Sequence, residues 1–156
     1  MEQGEAAAFR AALSSSLIFS HLPEAEREWL LETGKVQRLA AGTIVFRSGD
    51  PATQVFCVLT GSVEIEALDS GVVLNRLAPG EMFGEIGVIE ECARTATVRA
   101  AGPCALLAIE QSDFLELLVS HPAISVRLVS SLARRLNHLT EIVGSCCAAH
   151  VTARVA

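Results

Sequence analysis

Positive charge is scarce in this chain. Its 156 residues include 12 Lys and Arg against 18 Asp and Glu, which gives a formal net charge of −6. A surface that binds nucleic acid needs clustered positive charge, so the composition argues against direct binding of DNA or RNA. It does not argue against binding one small anion, because a single Arg suffices for that.

Long apolar runs and secretion signals are also missing. No apolar run approaches the roughly 20 residues that a membrane-spanning helix needs. The first residues, MEQGE, are acidic and lack the basic and apolar regions of a signal peptide. The cysteines are odd in number and irregularly spaced, which does not fit a disulfide framework. We therefore expect a cytoplasmic chain with reduced thiols and no membrane span.

No catalytic set of residues can be recognised. The four histidines (21, 121, 138 and 150) show no spacing that pairs them with a Ser or Cys nucleophile, and no nucleophile-elbow or Walker motif occurs. Cys146, Cys147 and His150 could form part of a metal site, but they lack a fourth ligand at standard spacing. We expect no enzyme activity, no metal and no cofactor.

What the chain does contain is a large apolar fraction. Hydrophobic residues make up 51% of it, which is enough for the core of one domain. Between residues 36 and 110, short β-like runs alternate with turn signals every 8–12 residues, a pattern typical of a sandwich or barrel. We predict a mostly β fold with flanking helices: an eight-stranded jelly-roll β-barrel that contains one short helix.

Helical patterns flank this β region. Residues 1–35 are predicted as an N-terminal helical segment, residues 111–144 as C-terminal helices, and residues 145–156 as a flexible tail. The long helix is predicted from Pro122 to about Val143, with Gly144 ending it. Its apolar residues step by three or four along one stripe, which also suggests a homodimer formed through the 122–143 helix. The members of the stripe are Leu128, Leu132, Leu136, Leu139 and Val143.

Residues 83–98, FGEIGVIEECARTATV, are the most informative part of the sequence. Backbone amides at a helix start favour an anion, and the Arg94 guanidinium can bind a phosphate through two parallel hydrogen bonds. Glu85, an acceptor when ionised, suits a sugar hydroxyl. Amides, Arg and Glu together predict a site for a phosphorylated sugar.

This segment resembles the phosphate-binding cassette of cyclic-nucleotide-binding domains, which reads roughly Phe-Gly-Glu, apolar residues, then Arg-Thr-Ala-Thr-Val. The resemblance extends from about Leu17 to Val143 and includes glycine turns at Gly42, Gly49 and Gly61. It departs from the family at Gly87 and Ala93, where Ala and Pro are common. The resemblance implies a jelly roll whose C-terminal helices cover the ligand as a lid.

The resemblance also implies a role for each site residue. Phosphate would be bound by Arg94, Thr95, Gly84 and Ile86, and the ribose 2′-hydroxyl by Glu85. The residues implied for the base pocket and lid are Ile65, Leu77, Thr95, Arg135 and Leu139.

Some of these residues have a second interpretation. Arg94 could be a surface residue paired with Glu90 or Glu91, and Glu85 could merely complement the helix dipole. Thr95 could be a β-branched strand residue, Ile65 and Leu77 could be core, and Arg135 a solvated neighbour of Arg134.

The function that the resemblance implies is a sensor or regulatory domain for cyclic AMP, with cyclic GMP as the second choice of ligand. Such a domain would act through its C-terminal helix on an effector that the sequence does not identify. Two alternatives are a related scaffold for dimerisation or docking that has lost nucleotide binding, and an enzyme such as a cyclic-nucleotide hydrolase. The presence of both Glu85 and Arg94 argues against the scaffold, and the lack of metal ligands against the enzyme.

Overall fold

The computed structural model describes residues 2–67 and 71–155, apart from the side chains of residues 138, 139, 142, 143 and 145–155. The helices are α1 (Gln3–Ser15), α2 (Glu24–Thr33), α3 (Glu85–Ile89), α4 (Gln111–Ser120) and α5 (Pro122–Val155), with a 3₁₀ turn at Phe19–His21. The strands are β1 (Lys35–Leu39), β2 (Ile44–Phe46), β3 (Gln54–Thr60), β4 (Val63–Glu66), β5 (Val73–Leu77), β6 (Met82–Phe83), β7 (Thr97–Ala100) and β8 (Cys104–Glu110).

The strands form two antiparallel sheets of four strands each, in the orders β1-β8-β3-β6 and β2-β7-β4-β5. This confirms a mostly β fold with flanking helices. In the described part of the chain no ladder of hydrogen bonds joins the two sheets, so the predicted jelly-roll barrel is not closed. Two of the edge strands, β2 and β6, have only 3 and 2 residues and offer few backbone groups for pairing between the sheets.

Strands β3 and β8 are buried on both faces. In β3, Val55, Cys57 and Leu59 pack against the helices, whereas Phe56 and Val58 pack between the two sheets. Strand β8 divides its side chains in the same way. This explains why both strands are continuous apolar runs, since alternation of apolar and polar residues occurs only where one face meets water.

The helices pack on the outer face of the β3–β8 sheet. Phe9, Phe19, Phe114 and Ile124 come from α1, the 3₁₀ turn, α4 and α5, and each is 0% exposed. Their shared cluster therefore fixes the N-terminal and C-terminal helices on the same sheet. This is how the start of α5 is held beside the β region.

The outcome for α5 differs from the prediction in two ways. The helix does not end at Gly144 but runs from Pro122 to Val155. A single Gly inside a helix costs about 1 kcal/mol relative to Ala, and no Pro follows to stop the helix.

The predicted apolar stripe of α5 is also divided between two surfaces. Leu128 is 4% exposed and packs in the domain's own core, as Leu132 partly does, so neither is available for a dimer seam. Leu136 is 65% exposed and lies on a different face with Val126 and Val129. The side chains of Leu139 and Val143 lie outside the described residues.

Among the described residues, no single helix is long and apolar enough to cross a membrane. One pair of neighbouring helical segments has the length and composition of a span when taken together, but the two segments meet at a bend of 107°. They are Gln111–Ser120 and Pro122–Asn137.

Candidate functional site

A cavity of about 160 Å³ lies where α3, the loop before β7 and α5 meet. It contains most of the residues that the sequence singled out. Its lining residues are Phe46, Ile65, Phe83, Gly84, Glu85, Ile86, Gly87, Arg94, Thr95, Ala96, Val98 and Arg135.

Arg94 lies at the bottom of this cavity and is only 6% exposed. Its backbone is fixed by two hydrogen bonds: the Arg94 N–H donates to Asp50 O, and the Gly49 N–H donates to Arg94 O, both at 2.8 Å. Its side chain donates from Nη1 to Gly84 O at 2.8 Å and from Nη2 to Gln54 O at 2.6 Å. Arg94 is therefore not the surface residue paired with Glu90 or Glu91 that the alternative interpretation described.

The guanidinium of Arg94 is charged in a largely apolar setting. It lies 4.1 Å from the centroid of the Phe46 ring, a cation–π contact. Burial lowers the pKa of Arg94, and the carboxylates of Asp50 and Glu85 oppose this shift. The buried Nε of Arg94 has no hydrogen-bond partner among the described residues. A buried donor left unpaired is unfavourable, so the site has unused capacity for an anionic acceptor.

Glu85 is the second buried charged residue of the cavity, and it is 2% exposed. Its Oε1 accepts a hydrogen bond from Nη1 of Arg135 on α5 at 2.7 Å, and the two side chains form an ion pair. A buried carboxylate needs such a partner. Arg135 is therefore not simply a solvated neighbour of Arg134, although nearly half of its side chain, 48%, is exposed.

Two glycines give the cavity its shape. Gly84 has φ +83°, and a Cβ built there would lie 2.7 Å from Arg94 Nη1. A Cβ at Gly87 would lie 2.6 Å from the Cβ of Ala52. The lack of a side chain at Gly87 therefore lets α3 approach the loop before β3 closely.

The remaining wall is apolar. The rings of Phe56 and Phe83 are stacked with centroids 5.3 Å apart, and Phe46 lies within 6.0 Å of both. Phe46 and Phe83 line the cavity together with Ile65 and Val98. Flat apolar surface beside two buried charges suits a ligand with a polar end and an aromatic end.

The structure brings together most of the predicted site residues. Gly84, Glu85, Ile86, Arg94, Thr95, Ile65 and Arg135 all line the cavity. Leu77 does not: it is 3% exposed and belongs to the core between the sheets. The side chain of Leu139 lies outside the described residues.

Sequence reasoning missed three parts of the site. Phe46 and Phe83 are not among the residues predicted for the base pocket, although both line the cavity and belong to its aromatic wall. The carbonyl oxygen of Gln54 was not considered, yet it holds the Arg94 guanidinium. No signal in the sequence identifies a backbone acceptor 40 residues away from its donor.

Comparison with known proteins agrees with this geometry. Residues 36–121 match the sequence profile of the cyclic nucleotide-binding domain. The cAMP-activated global transcriptional regulator CRP of Salmonella typhimurium is 32% identical over 133 residues, which are 83% of this chain and 63% of the relative. A Rhodopseudomonas palustris protein named "Putative potassium channel protein" is 33% identical over 126 residues, which are 80% of this chain and 28% of that protein.

A solved structure shows the same fold. The crystal structure of the Thermus thermophilus catabolite activator protein superposes with a TM-score of 0.74 at 29% identity, covering 82% of this chain and 62% of that one. The sequence match and the fold thus define a domain of the class found in signalling and regulatory proteins. This chain belongs to the cyclic nucleotide-binding domain family. It spans less than two thirds of the length of the curated relatives described above.

The contact between Gly84 and Arg94 can be tested by stability. We expect Gly84→Ala to lower the free energy of unfolding more than Gly42→Ala, by about 1 kcal/mol or more. Both glycines have φ +83°, but a Cβ at Gly42 meets nothing within 4 Å, so the control carries the backbone strain alone. Urea unfolding gives the free energy of unfolding of both variants. Equal losses of stability would show that the Arg94 side chain moves aside without cost.

Proposed function

We propose that this domain is a cyclic-nucleotide sensor whose ligand is cyclic AMP. The observation that carries the proposal is the pairing of a buried Arg94, with an unpaired Nε, and a buried Glu85 in one cavity with an aromatic wall. The names of its CRP relatives, which are cAMP-activated, favour adenine over guanine. Thr95, exposed at the cavity, also allows a contact to guanine, so cyclic GMP is the second candidate.

In this proposal Arg94 binds the phosphate. A cyclic phosphodiester has one negative charge, which would compensate the guanidinium that is now buried beside Phe46. Charge-assisted hydrogen bonds contribute about 1.5–3 kcal/mol each. Backbone amides at Gly84 and Ile86, and the hydroxyl of Thr95, would supply further donors to the same group.

Glu85 would accept a hydrogen bond from the ribose 2′-hydroxyl. Arg135 occupies Oε1 of Glu85, and the carboxylate has further acceptor capacity for a hydroxyl. The base would lie against the apolar wall that includes Ile65 and Phe83.

Transmission would run through α5. The cavity of about 160 Å³ is smaller than the roughly 300–1,000 Å³ of typical ligand sites, so a nucleotide would need a shift of the elements around it. Among the described residues, Arg135 is the one that α5 contributes to the cavity, and it is bound to the carboxylate proposed to hold the ribose. Ligand binding and the position of α5 would therefore be coupled through Glu85. The strength of this coupling equals the difference in the ligand's affinity for the two positions of the helix.

One observation keeps a second candidate function: a scaffold for dimerisation or docking that binds no nucleotide. Both Nη atoms of Arg94 already donate to backbone carbonyls, which is a structural role that needs no ligand. Burial of a charged group is energetically unfavourable, and the buried Nε of Arg94 has no partner among the described residues. A scaffold that binds no ligand would gain nothing from two such charges at a cavity, so we favour the sensor. We propose no catalytic role for the cavity.

Ligand binding is tested by calorimetric titration of nucleotide-stripped protein with cyclic AMP and cyclic GMP. We expect micromolar or tighter binding of cyclic AMP, and a loss of one to two decades of affinity in Arg94→Ala because a charge-assisted contact is removed. A 2′-deoxy analogue should bind poorly if Glu85 holds the ribose.

Loss of the fold would also abolish binding, so thermal unfolding of Arg94→Ala is measured alongside. No heat and no thermal shift of the wild-type protein with either nucleotide would replace the sensor with the scaffold.

The role of α5 is tested by Arg135→Ala. We expect about a fivefold to twentyfold weaker affinity for cyclic AMP, because Glu85 loses the cation that holds and compensates its buried carboxylate. Arg134→Ala is the matched control, since it removes the same charge from the neighbouring position of α5 and Arg134 does not line the cavity. Equal affinities of the two variants would exclude Arg135 as the link.

We also propose that the domain forms a homodimer through α5, by an exposed face that shares Leu136 with the predicted stripe but not Leu128 or Leu132. Val126, Val129 and Leu136 are 63%, 65% and 65% exposed. With exposed Ala133 they step by three, four and three residues, the spacing of a coiled-coil seam. This stripe would bury itself against the same stripe of a second copy.

The dimer is tested by light scattering at micromolar concentration. We expect wild-type protein to be dimeric and Leu136→Glu to be monomeric, because the seam cannot bury a carboxylate without a partner. Val119→Glu provides the control: Val119 is 83% exposed but lies on α4, so this variant should stay dimeric. A monomeric wild-type protein would contradict the proposed seam.

A further inference from the structure

A second, larger cavity lies between α2 and α4. Its volume is about 460 Å³, and it shares no lining residue with the cavity that holds Arg94 and Glu85. We call it the α2–α4 groove. It is lined by Ala25, Glu26, Trp29, Asp113, Glu116, Leu117, Ser120 and His121.

The groove is acidic without compensation. Glu26 comes from α2, and Asp113 and Glu116 come from α4. No Lys or Arg lines it, and within the described part of the chain none of these three carboxylates forms an ion pair. Ion pairs with arginines do occur elsewhere among the described residues, for five of the 18 Asp and Glu of the sequence. What distinguishes the groove is that three carboxylates from two helices line one cavity that no Lys or Arg lines.

An aromatic ring lies among these carboxylates. Trp29 is the one tryptophan of the sequence, and it is 37% exposed although its neighbour Leu30 is 1% exposed. The face of an indole attracts a guanidinium or ammonium group, and more strongly than the face of any other side chain. A Trp flanked by unpaired carboxylates therefore favours a cation that also has apolar stem atoms to bury.

The end of the groove holds a further unpaired group. Nδ1 of His121 is buried, and it has no hydrogen-bond partner among the described residues. Leu117, which is 4% exposed, forms part of the floor. The groove thus combines an apolar floor with polar groups that have no hydrogen-bond or ion-pair partner among the described residues.

A metal ion is not the occupant that these residues suggest. In the described part of the chain no three His, Cys, Asp or Glu side chains come close enough to hold one. The α5 seam does not match either, because its exposed residues are apolar rather than cationic.

From charge complementarity we propose that the α2–α4 groove is a docking surface for a segment of a partner protein that presents Arg or Lys side chains. One such side chain would lie over the indole of Trp29, with Glu26 on one side and Asp113 and Glu116 on the other. The two cavities have no lining residue in common, so a partner side chain in the groove and a nucleotide at the cassette would not compete for the same contacts.

Trp29 makes the proposal measurable, because its fluorescence reports on the groove alone. The probe is a capped nine-residue peptide with Arg at every third position and Ala elsewhere; its control replaces each Arg by Gln. With the full chain we expect a saturable change of Trp29 fluorescence for the Arg peptide, weakened by added salt, and none for the Gln peptide.

A matched pair of variants separates a specific groove from general attraction to an acidic protein. Glu26→Gln/Glu116→Gln should weaken peptide binding by about tenfold or more, since it removes a carboxylate on each side of the indole. Glu2→Gln/Glu141→Gln changes the net charge equally at exposed positions outside the groove, and should change affinity less than twofold. Thermal unfolding of both confirms that they are folded.

Two results would overturn the proposal. One is an equal loss of affinity in the two double variants, which would mean that the peptide responds only to net charge. The other is the absence of any saturable fluorescence change with the wild-type protein.

Discussion

The hydrogen bonds from the Arg94 guanidinium to two backbone carbonyls hold the site together. They connect the loop before β7 to the start of β3 at Gln54 and to the start of α3 at Gly84. Contacts within the protein therefore fix the geometry of the cassette without any contribution from a ligand. This arrangement removes the charge of Arg94 from solvent, and its Nε has no hydrogen-bond partner among the described residues. A buried donor without a partner is unfavourable, and this is the observation from which we propose an anionic ligand.

The ion pair between Glu85 and Arg135 is the second constraint, and it connects the site to α5. The same helix faces three environments. Its Ile124 and Leu128 are in the core, Arg135 is at the cavity, and Val126, Val129 and Leu136 face solvent. A change at the cavity would thus reach a helix that also presents an apolar surface. In the proposed function, this sharing of one helix would couple the ligand to the exposed face of α5, because the ligand would favour one position of the helix over another.

Some elements were predictable because a local pattern specifies them. The turns at Gly42, Gly61 and Gly84 have positive φ, which only Gly adopts easily, and the apolar runs of β3 and β8 indicate strands buried on both faces. Other elements were not. Gly144 was predicted to end α5, but the helix continues to Val155. One Gly lowers helix stability only slightly, and the sequence alone does not show whether the rest of the helix compensates for that loss. Leu128 and Leu136 looked alike in the stripe, although one is buried and the other exposed.

The sequence by itself determined the membership of the family and the identity of the charged site residues, because the cassette is a continuous segment with fixed spacing. Only the tertiary structure decided how those residues are used. It brought Gln54 O, Phe46 and Arg135 to the cassette from distant parts of the chain, and it moved Leu77 into the core. It also placed Trp29 beside the carboxylates of α4. Such contacts depend on how sheets and helices pack, and packing is a property of the whole chain rather than of any one segment.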